Sequence, residues 1–285
     1  MVSEVMIKLK QLLKEDAEEF AQISNLPLPA FVSRFKDIAN DSKVQSVIHA
    51  GLTDGRPQDE KMSFTSKKLK AEVLIPTQKE IGQNESLVSI LNDKYNSLDS
   101  ILEGQTQFNK PIVTLNSKFI IDGHHRWSQA FIANPETLVP VYDMTATITP
   151  QQALKAVHIA IAADQKELPL SAAKGINLFN ATEKVIQTAV NQYLTEQARK
   201  LYEEHGHGST SEEITAYLWK NVQLMQKNNK PISGAPPRTS MPQTDDAPNF
   251  DDLLTKGVVN FKNPNPKDVK TESSIKLKDL IKRNK

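Results

Sequence analysis

The sequence predicts an α+β fold, in which a small mixed domain is preceded by a helical extension and followed by a helical region and a disordered tail. Three observations predict this class. Short apolar runs bounded by Gly, Asn and Pro lie in the middle of the chain, apolar residues at helical spacing lie on both sides, and the end of the chain is proline-rich. With 285 residues, 38% of them hydrophobic, the chain is long enough to bury a sizeable core.

The composition excludes several classes of protein. The chain has no cysteine, so disulfides, thiolate metal sites and cysteine nucleophiles are excluded. Its formal net charge of +1 gives no overall field for nucleic acid, so any such binding would depend on a local patch. No apolar run is long enough to span a membrane, and the charged N-terminus "MVSEVMIKLKQLLKEDAEEF" is unlike a signal peptide. We therefore expect a cytoplasmic protein without a membrane partner.

Changes in composition divide the chain into four parts. Residues 1–67 are expected to form an N-terminal helical extension, because apolar residues between 3 and 24 repeat at helical spacing. Residues 68–147 contain the apolar runs of the α+β domain. Residues 148–227 are expected to form a helical region, and residues 228–285 a disordered linker that ends in a basic tail.

The apolar runs of the α+β domain predict its strands. "AEVLI" at 71–75 is typical of a short buried strand. "PIVTL" and "KFIID" are joined by Asn116 and Ser117, which indicates a hairpin because Asn tolerates the left-handed backbone of a tight turn. "LVPVYDMTA" is the next predicted strand.

Capping residues predict the boundaries of the later helices. Asn180 with Glu183 is typical of a helix start, and Gly206 suits the end of the same helix. A last helix is expected from about 212 to 227, and its Tyr217 and Trp219 side chains are expected to pack in the protein core. The basic, amphipathic end "SSIKLKDLIKRNK" is a candidate for docking on a nucleic acid or protein partner.

The sequence "FIIDGHHRWSQA" places polar residues where a strand ends and a helix begins. The first turn of that helix has backbone N–H groups without intrahelical partners, and together with Arg126 they are suited to binding an anion, most naturally phosphate. Gly123 would let the anion approach the backbone. In the alternative interpretation, Asp122 caps the helix, Arg126 pairs with a surface carboxylate, and His124 and His125 are solvated.

The motif "IIDGHHRW" resembles the D-G-x-x-R signature of the ParB/sulfiredoxin superfamily, most closely its free-serine-kinase and bacteriophage ParB-like branches. In that superfamily the motif follows a hairpin, opens a helix and binds nucleotide phosphates. The resemblance implies that Gly123, His124, His125 and Arg126 contact phosphate, and that the protein works in the host cytoplasm if it is phage-encoded. The resemblance covers residues 68–147 only. The chain departs from the superfamily in two respects: it has no recognisable helix-turn-helix, and it lacks the cysteine of sulfiredoxin.

A second polar box, "LIPTQKEI", lies where the resemblance implies one. Glu80 is the nearest match to the catalytic base of the serine kinases, and Gln78 is its competitor and a candidate nucleotide contact. Asp122 would orient a metal or a ribose. The alternative interpretation of this box is a helix start in which Thr77 is the cap and Glu80 completes a capping box.

These residues predict a nucleotide-binding protein that transfers a phosphoryl group or hydrolyses a nucleotide. The cofactor would be ATP, ADP or CTP, with Mg²⁺ bound to the nucleotide. No residue is predicted as a direct metal ligand, and "HGHG" at 205–208 is a weak metal pattern beside a helix end. Two alternatives remain: a non-catalytic protein that binds DNA or a protein partner, as in phage assembly, and a ParB-like nuclease.

Overall fold

A computed structural model describes residue 30 and residues 63–106, 108, 110–145, 149–151, 153–154 and 175–241. The chain divides into two compact units. One comprises residues 1–64, 145–171 and 240–285, and most of it lies outside the described residues, as do the predicted N-terminal helices and basic tail. The other, residues 65–144 and 172–239, contains the sheet and the helices that position the candidate site.

The described residues form a five-stranded mixed sheet, which together with its helices confirms the α+β class. The strand order is β1-β5-β3-β4-β2. Strands β3 and β4 are antiparallel, whereas β3 pairs with β5 and β4 pairs with β2 in parallel. The strands are β1 (Ser63–Lys70), β2 (Ile75–Pro76), β3 (Ile112–Leu115), β4 (Phe119–Asp122) and β5 (Leu138–Thr145).

The hairpin predicted from Asn116 and Ser117 is confirmed. Both residues have left-handed backbones, with φ of 53° and 58°. Two consecutive left-handed residues give the tight turn whose twist matches that of the flanking strands. Leu115 accordingly pairs with Phe119 across the turn, and β4 runs back toward the start of the candidate site.

Six α-helices lie among the described residues, and none of them is long and apolar enough to cross a membrane. The central one begins at His124, as the sequence predicts, and Trp127, Ala130 and Phe131 are fully buried on it. The helices are α1 (Ser89–Leu91, after a π-helical turn at Asn84–Val88), α2 (Leu98–Leu102), α3 (His124–Ala133), α4 (Glu183–Tyr193), α5 (Glu196–Glu204) and α6 (Ser211–Asn228).

The later helices share the core of the sheet rather than forming a separate region. Buried apolar residues of α4, α5 and α6 belong to the same cluster as those of α3. The Asn221 side chain on α6 donates to the Ile132 carbonyl at 2.8 Å, and the Tyr217 hydroxyl donates to the Ala133 carbonyl at 2.6 Å. The sequence analysis places a boundary near residue 148, between the α+β domain and the helical region. Hydrogen bonds at the end of α3 connect these two parts of the chain, because side chains of α6 donate to carbonyls that have no partner within α3.

Two element boundaries differ from the sequence predictions. Ala71–Val73 form a 3₁₀ turn instead of the start of a strand, because the Ala71 and Glu72 amides donate to Thr137 and Pro135 carbonyls outside the sheet. The helix predicted from Asn180 to Gly206 is two helices, since the Thr195 amide donates to the Leu91 carbonyl at 3.0 Å and interrupts the helical ladder. Thr195 then caps the second helix by accepting from the Ala198 amide.

The chain after α6 returns to the sheet as the C-terminal strap (residues 229–239), which turns at Gly234 and enters a 3₁₀ turn at Arg238. The Asn229 side chain donates to the carbonyls of Glu72 and Leu74 at 2.7 and 2.8 Å. The Ile232 amide donates to the Pro76 carbonyl at 3.2 Å. The sequence predicted a disordered linker from 228 onward. These hydrogen bonds hold the strap in place although it has few large apolar residues.

Asp143, a fully buried carboxylate on β5, fixes the β3–β4 turn. It accepts from the Thr114 hydroxyl at 2.7 Å, the Ser117 amide at 2.6 Å and the Lys67 ammonium at 2.8 Å. Burial alone would raise the pKa of Asp143, but the hydrogen bonds from Lys67, Thr114 and Ser117 outweigh it and lower that pKa below its ordinary 3.8. The charged form is therefore the one that the fold stabilises.

We expect Asp143→Asn to lower the free energy of unfolding by about 2 kcal/mol near neutral pH, because buried donors lose an ionic acceptor. Part of the Lys67 contribution is screened, since its side chain is 36% exposed. The pKa of Asp143 is lower in the folded state than in the unfolded chain, where it is 3.8. The extra stability of the wild type over Asp143→Asn is therefore fully present above pH 3.8 and is lost as the pH falls below it. Urea unfolding between pH 2.5 and 7 measures both effects.

Glu136→Gln is the matched control for Asp143→Asn. Its carboxylate pairs with Lys70 at 3.2 Å, but its side chain is 73% exposed. We expect no measurable change in stability. An Asp143→Asn protein as stable as the wild type at pH 7 would contradict a structural role for this carboxylate.

Candidate anion-binding site

The site is built where β4 ends and α3 begins. Gly123 joins the two elements with a left-handed backbone, φ 91°. The first amides of α3 have no intrahelical acceptors, and the helix dipole favours an anion at this end. The Trp127 amide donates to the Gly123 carbonyl at 2.9 Å, which closes the first helical turn.

Gly123 is also closely surrounded. A Cβ at this position would lie 2.9 Å from Arg126 Nη2 and 3.2 Å from the Ile112 Cα. The Arg126 guanidinium therefore lies over Gly123. The requirement for glycine comes both from its backbone conformation and from this close approach.

Arg126 is held beside Asp122 at the edge of the site. Its Nη2 atom lies 2.9 Å from Asp122 Oδ2 and donates to the Pro111 carbonyl at 3.3 Å. The side chains are 20% and 14% exposed. Arg126 Nε is buried without a hydrogen-bond acceptor in the described part of the chain. The guanidinium thus retains donor capacity that a phosphate oxygen would satisfy.

His124 lies beneath the turn rather than at the surface. It is 5% exposed, and its Nε2 accepts a hydrogen bond from the Thr77 amide at 3.1 Å. Burial, followed by repulsion from a protonated His125 and from the positive charges of Arg238 and Arg126, lowers the pKa of His124 well below its usual range. A neutral His124 brings no positive charge to the site. It connects the loop at Thr77 to the start of α3.

His125 is partly buried and also neutral. Burial, followed by the positive charge of Arg238, lowers its pKa from 6.5 to about 4, with Asp122 opposing and Arg126 adding to the shift. His125 Nδ1 lies 3.4 Å from the Ser86 hydroxyl. The Ser86 hydroxyl in turn lies 2.6 Å from the Ser128 hydroxyl. Near neutral pH this imidazole is therefore a dipolar hydrogen-bonding group rather than a cation.

The polar box after β2 is a loop and not a helix start. The Thr77 hydroxyl donates to the Ile120 carbonyl, so Thr77 is no helix cap. The buried Gln78 side chain donates to the Glu80 carbonyl and shapes the loop. Glu80 Oε2 accepts from the Arg238 amide at 3.0 Å. The capping-box interpretation is therefore wrong, because both side chains have partners outside residues 77–80.

Arg238 is the residue that sequence reasoning missed. It lies in the C-terminal strap, is 4% exposed, and its charge acts on both histidines. Nothing in "APPRTS" indicates that the chain returns to a motif more than a hundred residues earlier. The neighbouring prolines, which favour an extended backbone, are the only signal that the sequence offers.

The arrangement brings the predicted site residues to one place. The loop at 77–80 reaches α3 through Thr77 and His124, and Arg238 connects that loop to the same helix start. Two guanidinium groups and the first amides of α3 favour an anion there, while the carboxylates of Asp122 and Glu80 each already have a hydrogen-bond donor.

The described residues contain no group of three or more His, Cys, Asp or Glu that could hold a metal ion. His205, from the "HGHG" sequence, lies 2.8 Å from Asp99 Oδ1, and His207 stacks on Tyr217 at 4.0 Å between ring centroids. Both histidines thus have packing or pairing partners of their own. Comparison with protein-family models, curated proteins and solved structures finds no match to this chain.

We expect Gly123→Ala to lower the free energy of unfolding by about 2–4 kcal/mol, because alanine is strained at positive φ and its Cβ would displace Arg126 and Ile112. Gly104 has nearly the same φ, 89°, with no atom within 4 Å of an added Cβ. Gly104→Ala should therefore cost only the backbone strain, about 1–2 kcal/mol. Denaturant unfolding of both variants measures the difference, and equal losses would show that the close approach at Gly123 does not matter.

His125 should titrate near pH 4, far below an ordinary histidine, because burial and Arg238 oppose its charge. Since the unfolded chain binds this proton more readily, His125 should reduce stability as pH falls from about 6.5 toward 4. NMR titration of the imidazole signals, assigned with His125→Gln, gives the pKa. A value near 6.5 would contradict the burial and charge environment described above.

Proposed function

We propose that this protein binds a nucleotide through phosphates held at the start of α3. The observation that carries the proposal is the left-handed Gly123 turn, which presents the first amides of α3 beside the Arg126 guanidinium. Backbone amides at a helix start and an arginine fork are the two groups that proteins use most directly for phosphate. ATP, ADP and CTP are the candidate ligands.

The residues fit a phosphate better than a carboxylate or a bare halide. Arg126 has an unsatisfied Nε in addition to the Nη2 that holds Asp122, so it can donate to more than one oxygen. The neutral imidazole of His125 adds a hydrogen bond without a charge. Mg²⁺ would arrive with the nucleotide, because it is commonly held by substrate phosphates with one or two carboxylates. Asp122, which pairs with Arg126 at 2.9 Å, is the carboxylate that would meet that ion.

The reaction that we propose is phosphoryl transfer or nucleotide hydrolysis, on the resemblance of the motif to ParB/sulfiredoxin-like kinases. Glu80 would accept the proton of an attacking hydroxyl or water. One of its carboxylate oxygens is engaged by the Arg238 amide, which orients the group without neutralising it. The second oxygen is the one available to act as a base.

A second candidate function, a non-catalytic nucleotide switch, is favoured by the Asp122–Arg126 pair. The pair is closed at 2.9 Å, and a phosphate that binds Arg126 would compete with Asp122 for it. Binding alone would then repel the carboxylate and alter the β4–α3 corner. In this case the change at the β4–α3 corner would alter the binding of DNA or a protein partner, and no acceptor substrate would be involved.

The first test is thermal unfolding of the wild type and Arg126→Gln with ATP, ADP, CTP or GTP and magnesium. A ligand at a hundred times its Kd adds about 2.7 kcal/mol, which raises Tm by a few degrees. We expect one nucleotide to shift the wild type and not Arg126→Gln. Arg199→Gln, which removes an arginine that pairs with Glu196 on α5, is the control and should keep the shift.

Glu80→Gln separates catalysis from binding. If Glu80 is the base, this variant retains the nucleotide-induced shift in Tm and loses turnover by two orders of magnitude or more, on the order of what general bases contribute. Turnover that persists would remove Glu80 from the mechanism. Binding by every variant without turnover in the wild type would establish the switch instead, and no shift with any nucleotide would overturn the proposed site.

A further inference from the structure

The C-terminal strap follows the loop that carries Glu80 along its whole length. Asn229 binds the carbonyls of Glu72 and Leu74, and Ile232 binds that of Pro76. The Lys79 amide donates to the Pro236 carbonyl at 2.9 Å. The strap therefore contacts the polar box with its backbone as well as its side chains. It runs in the same direction as the box and reaches the candidate site at Glu80.

Arg238 is the point at which the strap enters the site. Its amide holds Glu80 Oε2 at 3.0 Å, while its side chain is almost entirely buried. A buried guanidinium is rare in proteins and is expensive unless charges or acceptors surround it. The charged and titratable groups that face His125 here are Arg238, Asp122, Arg126 and His124. The strap thus adds a second fixed positive charge beside the first turn of α3.

The two arginines reach the site from different elements. The guanidinium of Arg126, on α3 itself, pairs with Asp122, whereas Arg238 belongs to the strap, and its backbone amide donates to Glu80. Neutral histidines next to both guanidinium groups add no third charge. A ligand with several negative oxygens is therefore better matched to this site than a singly charged anion.

We propose that Arg238 completes the phosphate site and that nucleotide di- and triphosphates bind only when the strap is docked on the 77–80 loop. This inference rests on the proposed function and adds a residue and a segment to it. Arg238 would donate to phosphate oxygens that Arg126 does not reach, and its amide would keep Glu80 oriented toward them. The strap would then act as a clamp that couples the C-terminal part of the chain to ligand binding.

The experiment compares full-length Arg238→Gln and Arg238→Lys with the wild type. Isothermal titration with ADP and with inorganic phosphate, each with magnesium, gives the affinities, and denaturant unfolding confirms that the variants fold. We expect Arg238→Gln to weaken ADP binding at least tenfold, the usual effect of losing a charge-assisted hydrogen bond, and Arg238→Lys to restore part of it. Lys230→Ala, which removes an exposed positive charge from the same strap, should bind as the wild type does.

NMR titration of His125 gives a readout that a purely structural role would not change. Without the Arg238 charge the pKa of His125 should rise from about 4 toward 6.5, and lysine should keep it low. ADP binding unchanged in Arg238→Gln would overturn this inference and leave the proposed function intact. Equal weakening in both variants with an unchanged His125 pKa would also overturn it. A wild type that binds neither ADP nor phosphate would overturn the proposed function and this inference together.

Discussion

The burial of α3 is the constraint on which the rest of the unit depends. Trp127 is fully buried, donates its indole N–H to the Ala71 carbonyl at 2.9 Å and meets Phe131 edge to face at 5.5 Å. A large aromatic ring with a satisfied polar atom contributes both apolar area and a fixed orientation. The sheet, the turn before β2 and α6 all contact this helix, so the direction in which α3 leaves Gly123 sets the position of the candidate site.

The site brings two guanidinium groups, two carboxylates and two neutral imidazoles close together. Arg126 and Arg238 each act on His125, and burial reinforces them, so a proton on either histidine is disfavoured near neutral pH. Asp122 and Glu80 oppose the guanidinium charges without cancelling the field of the helix start. The consequence is that the imidazoles add no charge to the guanidinium groups at the proposed anion site.

Local signals account for what the sequence predicted. The β3–β4 hairpin, the start of α3 at His124 and the burial of Trp127 follow from turn residues and periodicity within a few positions. Long-range hydrogen bonds account for what the sequence did not predict. Thr77 resembles a helix cap in sequence, but the Ile120 carbonyl and His124 take its polar atoms. Arg238 stands in a segment whose composition suggests disorder, and its role depends on partners distant in sequence that no local pattern encodes.

The two hydrogen bonds of the Asn229 side chain join residues that are 157 and 155 positions apart. Contacts of such long range close late in folding, because the intervening chain must first be ordered. During synthesis at 5–20 residues per second, Glu72 therefore waits roughly 8–30 s before its partner emerges. Until then the loop that carries Glu80 lacks the support of the strap, and the α6 side of the core around α3 is also incomplete.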